Sequence, residues 1–151
     1  MELEDPNLKI IPRENLHLTL AFLGEYDLSK AMEKMGKMTF EKGNVELKGS
    51  GVFPNPDYAR IVWIGISGEE MRGNVERIMK EFGIDEKRET TLHLTVARAY
   101  GKSDKIKSFL EKHKDEEFGS FAPEYICIYE SILKKPNPEY RIIEKIRLFP
   151  A

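Results

Sequence analysis

An α+β fold built from mostly antiparallel sheets is the architecture this sequence predicts, on three observations. Several short stretches alternate apolar and polar residues with period two, and some are joined by brief Pro- and Asn-containing turns. Three other stretches carry apolar residues at helical spacing. No linker or low-complexity segment divides the 151 residues, so one domain spanning residues 1–151, long enough to bury a core, is expected.

In chain order, Leu8-Lys9-Ile10-Ile11 reads as a short strand closed by Pro12. A strand over Leu16–Leu20 follows. Asp27 can start a helix whose inner face carries Leu28, Ala31, Met32, Met35 and Met38, methionines better read as core than as a cofactor box. Val45–Phe53 and Tyr58–Ile66 form a hairpin about Pro54-Asn55-Pro56-Asp57, with Gly49 and Gly51 marking a bulge or a close approach. Ser67 and Glu70 have the spacing of a capping box, ahead of Met71, Val75, Ile78, Met79 and Phe82 on one helical face, and Gly83 stops that helix. Polar residues 85–89 lead to a strand over Leu92–Val96 that continues into Ala97. A third helix runs from about Asp104, with Ile106, Phe109, Leu110 and His113 along one stripe; His113 reads as structural. Glu124–Leu133 and Tyr140–Leu148 are the last strands. Cys127 lies in the first of them and reads as a buried small hydrophobe.

The two single strands are near copies. Leu16-His17-Leu18-Thr19-Leu20-Ala21 returns as Leu92-His93-Leu94-Thr95-Val96-Ala97. In each, alternation puts the aliphatic residues on one face and a histidine and a threonine on the other. Two of the three histidines thus occupy equivalent places in two similar half-units, and packing such strands about a pseudo-twofold axis brings both polar faces together.

Composition limits the remaining readings. With 24 basic and 26 acidic residues the formal net charge is −2, which argues against a broad surface coating nucleic acid but not against recognition of one phosphate. Charged residues are 33% and apolar residues 40%, the balance of a soluble globular chain. No apolar run reaches membrane-spanning length and no secretory leader opens the sequence, so no membrane is expected. A single cysteine cannot close an internal disulfide, in keeping with a reducing, cytoplasmic location.

Two imidazoles can act as base and acid in one reaction, because each changes charge near neutral pH. Phosphoester cleavage with in-line geometry suits them: one takes a proton from water while the other protonates the departing oxygen. The threonine hydroxyls can then donate to nonbridging phosphate oxygens. A zinc site would want a third His, Cys or carboxylate at ligand spacing, and the sequence shows none, so no metal is expected. Neither a Gly-x-Ser-x-Gly elbow nor a phosphate-cradling glycine loop is present.

Paired His-x-Thr-x motifs resemble those of the two-histidine phosphoesterase superfamily, and the context is similar to the RNA 2′,3′-cyclic phosphodiesterases, also called 2′-5′ RNA ligases. His17-Leu18-Thr19-Leu20 followed by Phe22-Leu23-Gly24-Glu25 looks like that family's first motif, and His93-Leu94-Thr95-Val96-Ala97-Arg98 like its second. Gly51-Val52-Phe53-Pro54 looks like its middle hairpin, and Phe118-Gly119-Ser120-Phe121, Ser131 and Tyr140 like its C-terminal strands. The resemblance implies a two-lobed, pseudo-twofold arrangement of antiparallel sheets with helices on the outside and a central cleft. It implies His17 and His93 as catalytic residues, with His93 the base acting on water and His17 the acid protonating the 3′ oxygen. Thr19, Thr95 and Arg98 are implied as substrate-binding residues, although strict alternation puts Arg98 on the leucine face unless the strand bulges or ends there. The implied partner is an RNA with a 2′,3′-cyclic phosphate end, tRNA fragments among them, opened to a 2′-phosphate without cofactor by a monomer, with reverse 2′-5′ joining as a weak activity. A non-catalytic RNA-end or nucleotide-binding module, and a phosphodiesterase acting on a small cyclic nucleotide or ADP-ribose cyclic phosphate, are the alternatives. In that family an apolar strand and a helix usually precede the segment that here begins near Leu8; with 16 residues ahead of His17, the expectation is a chain lacking that unit.

Overall fold

A computed structural model describes residues 2–85 and 92–150. The polar stretch expected at residues 85–89 therefore lies, beyond Asp85, outside the described residues. The elements are β1 (Leu8–Ile10), α1 (Leu28–Gly36), β2 (Glu41–Lys42), β3 (Val45–Phe53), β4 (Ile61–Ser67), α2 (Glu69–Phe82), β5 (His93–Ala99), α3 (Asp104–Lys112), β6 (Glu117–Phe121), β7 (Tyr125–Ile132), β8 (Glu139–Arg147) and β9 (Phe149–Pro150). The β1–β5, β3–β4, β4–β5 and β7–β8 pairs are antiparallel and the short β2–β9 pair is parallel, so the fold is α+β as expected. Among the described residues no helix is long and apolar enough to cross a membrane.

The chain forms two compact units that are not successive halves. The first comprises residues 1–19, 46–67 and 91–120; the second comprises 20–45, 68–90 and 121–151. The first unit holds a five-stranded sheet in the order β1-β5-β4-β3-β6. One face of that sheet is dry: Val52, Val62, Ala97 and Ala99 cluster with Leu3 and with Ile106 and Phe109 of α3. Helical spacing put Ile106 and Phe109 on one stripe of α3, and that stripe is the one buried here.

The first unit also clamps its own N-terminal segment. His113 follows the last residue of α3 and is only 5% exposed. Its Nδ1 lies 2.6 Å from a Glu116 carboxylate oxygen and its Nε2 lies 2.8 Å from one of Glu2. Hydrogen bonding to Glu2 is the main reason its pKa is raised above the ordinary 6.5, and burial opposes the shift. A group whose pKa is raised on folding stabilises fully below its unfolded pKa and loses that contribution as pH rises through the folded value. Stability should therefore decline as pH rises above about 6.5, and the decline should be missing from His113→Gln. Urea midpoints measured across that range test it; equal slopes for the two proteins would refute the clamp.

In the second unit, α1 begins as its sequence predicts: the Asp27 carboxylate accepts from the backbone N–H of Lys30. The start of α2 differs from expectation. Ser67 is the last residue of β4, paired with Glu46, so it does not cap; Gly68 is the cap and contributes no side-chain hydrogen bond. A Cβ on Gly68 would stand 2.7 Å from the Asn44 carbonyl oxygen, so the strand-to-helix corner needs glycine for space. Gly83 ends α2 in the left-handed conformation at φ 64, as read. Helix α3 begins at Asp104 as read; Ser103 caps it, its Oγ accepting from the Lys105 N–H.

Candidate active site

The second motif lies on β5, where antiparallel pairing with β4 sets Gly65 opposite His93 and Trp63 opposite Thr95. The next pair along is Val62 with Ala97, so β5 carries one extra residue, Val96, as a β-bulge. Trp63 and Val62 are neighbours on β4 and face opposite sides. The bulge accordingly sends Ala97 into the dry core and returns Arg98, opposite Ile61, to the face that holds His93 and Thr95. The face implied for Arg98 by strict alternation is thus corrected.

Glycines shape the floor beneath this face. Gly51 lies opposite Trp63, and a Cβ there would stand 2.2 Å from the indole ring, so the ring occupies the space a side chain would fill. Phe53 lies edge-on to His93 with centroids 5.0 Å apart, and Trp63 is 6.2 Å from His93. These two aromatics hold the imidazole against a rigid backing. From the sequence Phe53 is named only as part of the hairpin motif and Trp63 not at all, although alternation along the two strands of the hairpin places both on its non-core face.

The first motif is not a strand, contrary to expectation. Within Leu16–Leu20 only Leu18 pairs, by one antiparallel bridge to Leu94. A 3₁₀ turn at Arg13–Asn15 leads straight into the segment, and β1 occupies the same edge of β5 at Ala97–Ala99. Leu16 is accordingly exposed, while Leu18 and Leu20 are half-buried.

That single bridge fixes how the two motifs face each other. Extended by one residue each way, its register sets His17 opposite Thr95 and Thr19 opposite His93, with all four side chains on the face away from Leu18 and Leu94. An antiparallel pair has a local twofold axis, so the repeated motif appears twice around one point within the first unit. Diagonal positions in such pairing lie about 7–8 Å apart, which leaves space for one phosphate with an imidazole at each side. His17 and Arg98 are exposed, and Thr19, His93 and Thr95 half-buried.

His17 Nδ1 lies 2.6 Å from the Asn15 carbonyl oxygen. A carbonyl only accepts, so Nδ1 carries a proton and Nε2 is the nitrogen whose protonation varies. Lys9 lies opposite Arg98 across the β1–β5 pairing and so adds a second cation to the same face. Its position between Leu8 and Ile10 in an alternating strand was the signal that could have found it. Among the described residues no three His, Cys, Asp or Glu side chains group as a metal site would need. Cys127, in the second unit, is half-buried and not fully buried as expected; burial pushes its thiol pKa up, away from reactivity.

Known proteins match this chain over most of its length. The family model described as LigT-like phosphoesterase matches residues 1–63. An RNA 2′,3′-cyclic phosphodiesterase of Methanocaldococcus jannaschii is 33% identical, over 91% of this chain and 83% of that protein. One of Aeropyrum pernix is 34% identical, over 93% of this chain and 86% of that protein. Among solved structures, a Thermus thermophilus protein superposes with a TM-score of 0.76 at 24% identity, covering 95% of this chain and 83% of that one, which shows the same fold.

Proposed function

Because this chain belongs to the LigT-like phosphoesterases, the family of the RNA 2′,3′-cyclic phosphodiesterases, we propose that it opens a terminal 2′,3′-cyclic phosphate of RNA to a 2′-phosphate, using His17 and His93. The observation that supports this reading most is the Leu18–Leu94 bridge, whose register, extended by one residue each way, sets His17 opposite Thr95 and Thr19 opposite His93. In the proposed reaction a water oxygen attacks phosphorus as the P–O3′ bond breaks. His93 takes the water's proton and His17 delivers one to O3′. Each turnover leaves the two imidazoles with their protonation exchanged, so a proton must return through solvent before the next. Thr19 and Thr95 donate to the nonbridging oxygens as charge grows on them, and Arg98 supplies a cation on the same face. Attack by the 5′ hydroxyl of a second RNA in place of water, with the same P–O3′ bond breaking and O3′ taking the proton, gives 2′-5′ joining by the same groups, as a weak activity. The enzyme acts without metal or cofactor, as a cytoplasmic monomer.

A short RNA ending in a 2′,3′-cyclic phosphate is the test substrate. The expected product is the 2′-phosphate; a 3′-phosphate, or no product, would overturn the assignment. The same rate is expected in excess EDTA, since acid, base and phosphate donors are all side chains here. Loss of turnover on chelation, with recovery on adding zinc or manganese, would show that a metal supplies part of the chemistry.

A further inference from the structure

The second unit carries a surface that the two histidines do not use. In the β7–β8 hairpin Ile126 and Ile128 are buried, which fixes the opposite face as Tyr125, Cys127, Tyr129 and Ser131. Register adds their partners: Arg147 opposite Tyr125, Lys145 opposite Cys127, and, past a bulge at Ile143, Ile142 opposite Tyr129 and Tyr140 opposite Ser131. The face therefore holds three tyrosines and two cations but no carboxylate. Glu130, Glu139 and Glu144 pair with Arg141, Ile132 and Ile128, on the other side.

The rings are displayed and mutually ordered. Tyr125 is 45% exposed and Tyr129 46%. Tyr140 stands edge-on to Tyr129 with centroids 6.4 Å apart, and the Lys145 ammonium lies 5.7 Å from the Tyr125 centroid. From Tyr125 to Tyr129 the strand advances about 13 Å. On a chain of net charge −2, a carboxylate-free face with two cations is a local reversal of sign.

Rings that offer a flat surface, interleaved with cations, match a single-stranded nucleic acid: bases stack and phosphates pair with the cations. A duplex hides its base faces and cannot use the rings. We infer that the Tyr125–Tyr129–Tyr140 face, with Lys145 and Arg147, binds unpaired RNA. That this strand is the one whose end is hydrolysed rests on the function proposed above.

Fluorescence anisotropy with a 5′-labelled pentaribonucleotide ending in a 2′-phosphate, which cannot be opened further, tests the surface. Tyr125→Ala and Tyr129→Ala should each weaken binding about tenfold, Tyr129→Trp should retain it, and Lys145→Glu should weaken it and flatten its salt dependence. The blunt duplex of the same sequence should bind less tightly than the single strand. Equal affinity of wild type and both alanine variants, with circular dichroism showing all folded, would overturn the inference. So would a change in sedimentation of these variants with RNA affinity unaltered, which would mark the face as a contact between copies of the chain. Hydrolysis of a mononucleoside 2′,3′-cyclic phosphate by the wild type is measured beside it. Tyrosine-dependent binding without that hydrolysis would sink the proposed function and leave the surface standing; hydrolysis with tyrosine-independent binding would do the reverse.

Discussion

His17→Ala and His93→Ala should each lower kcat for a 2′,3′-cyclic phosphate substrate by roughly 10²- to 10⁴-fold, the range over which positioned acids and bases contribute. Neither loss should come from unfolding. His17 is exposed, and removing an exposed side chain usually changes stability by under about 0.5 kcal/mol. His93 packs against Phe53 and Trp63, so His93→Gln is the gentler companion; it keeps bulk and a hydrogen-bonding group but cannot exchange a proton near neutral pH. Because the mechanism needs one imidazole neutral and one charged, kcat/KM of the wild type should fall on both sides of an optimum. The two limbs belong to the pair and not to either residue. Single-turnover rates alongside urea midpoints would decide it: either variant retaining near wild-type rates while folded would end the two-imidazole mechanism.

The largest stability effect is expected at a residue far from that chemistry. Asn74, in the middle of α2, is fully buried. Its Nδ2 donates to the Glu41 carbonyl oxygen and its Oδ1 accepts from the Glu41 N–H, both at 2.9 Å. One amide thus satisfies both backbone groups of a β2 residue. Asn74→Ala orphans a buried donor and a buried acceptor, at about 1–3 kcal/mol each. A loss of roughly 2–6 kcal/mol in all should lower Tm by on the order of 10 °C in a chain of this size. Asn74→Asp should be no milder, since a carboxylate cannot donate to the Glu41 carbonyl and would be charged in a dry site. Thermal unfolding of both variants checks this; a shift of a degree or two would mean that water replaces the amide.

Where the sequence was legible, the reason lies in short-range periodicity. Helix α2 showed itself through Met71, Val75, Ile78 and Met79, all buried as their spacing requires. The same spacing places Asn74 on that buried face, yet a polar residue there means nothing until its partner, 33 positions away, is known. The hairpin of β3 and β4 was readable from alternation and its proline turn, including the irregularity at Gly49, where the register shifts between Leu47 and Ser50. The cap of α2 was misread by one residue because a serine next to a helix can serve equally as strand end or cap, and long-range pairing decides which.

The sequence by itself determined that two His-x-Thr units exist, that each shows histidine and threonine on one side, and that the fold is α+β. Period-two alternation is local, and repetition is visible without any coordinates. Only the tertiary structure decided how those units face each other: the first is no strand at all, and one bridge from Leu18 to Leu94 fixes its register. Only the pairing of β5 with β4 revealed the extra residue at Val96 that turns Arg98 toward the histidines, and only β1 brought Lys9 opposite it. Register and bulges are properties of two strands, set by which backbone groups of distant segments find each other, so neither strand alone carries them.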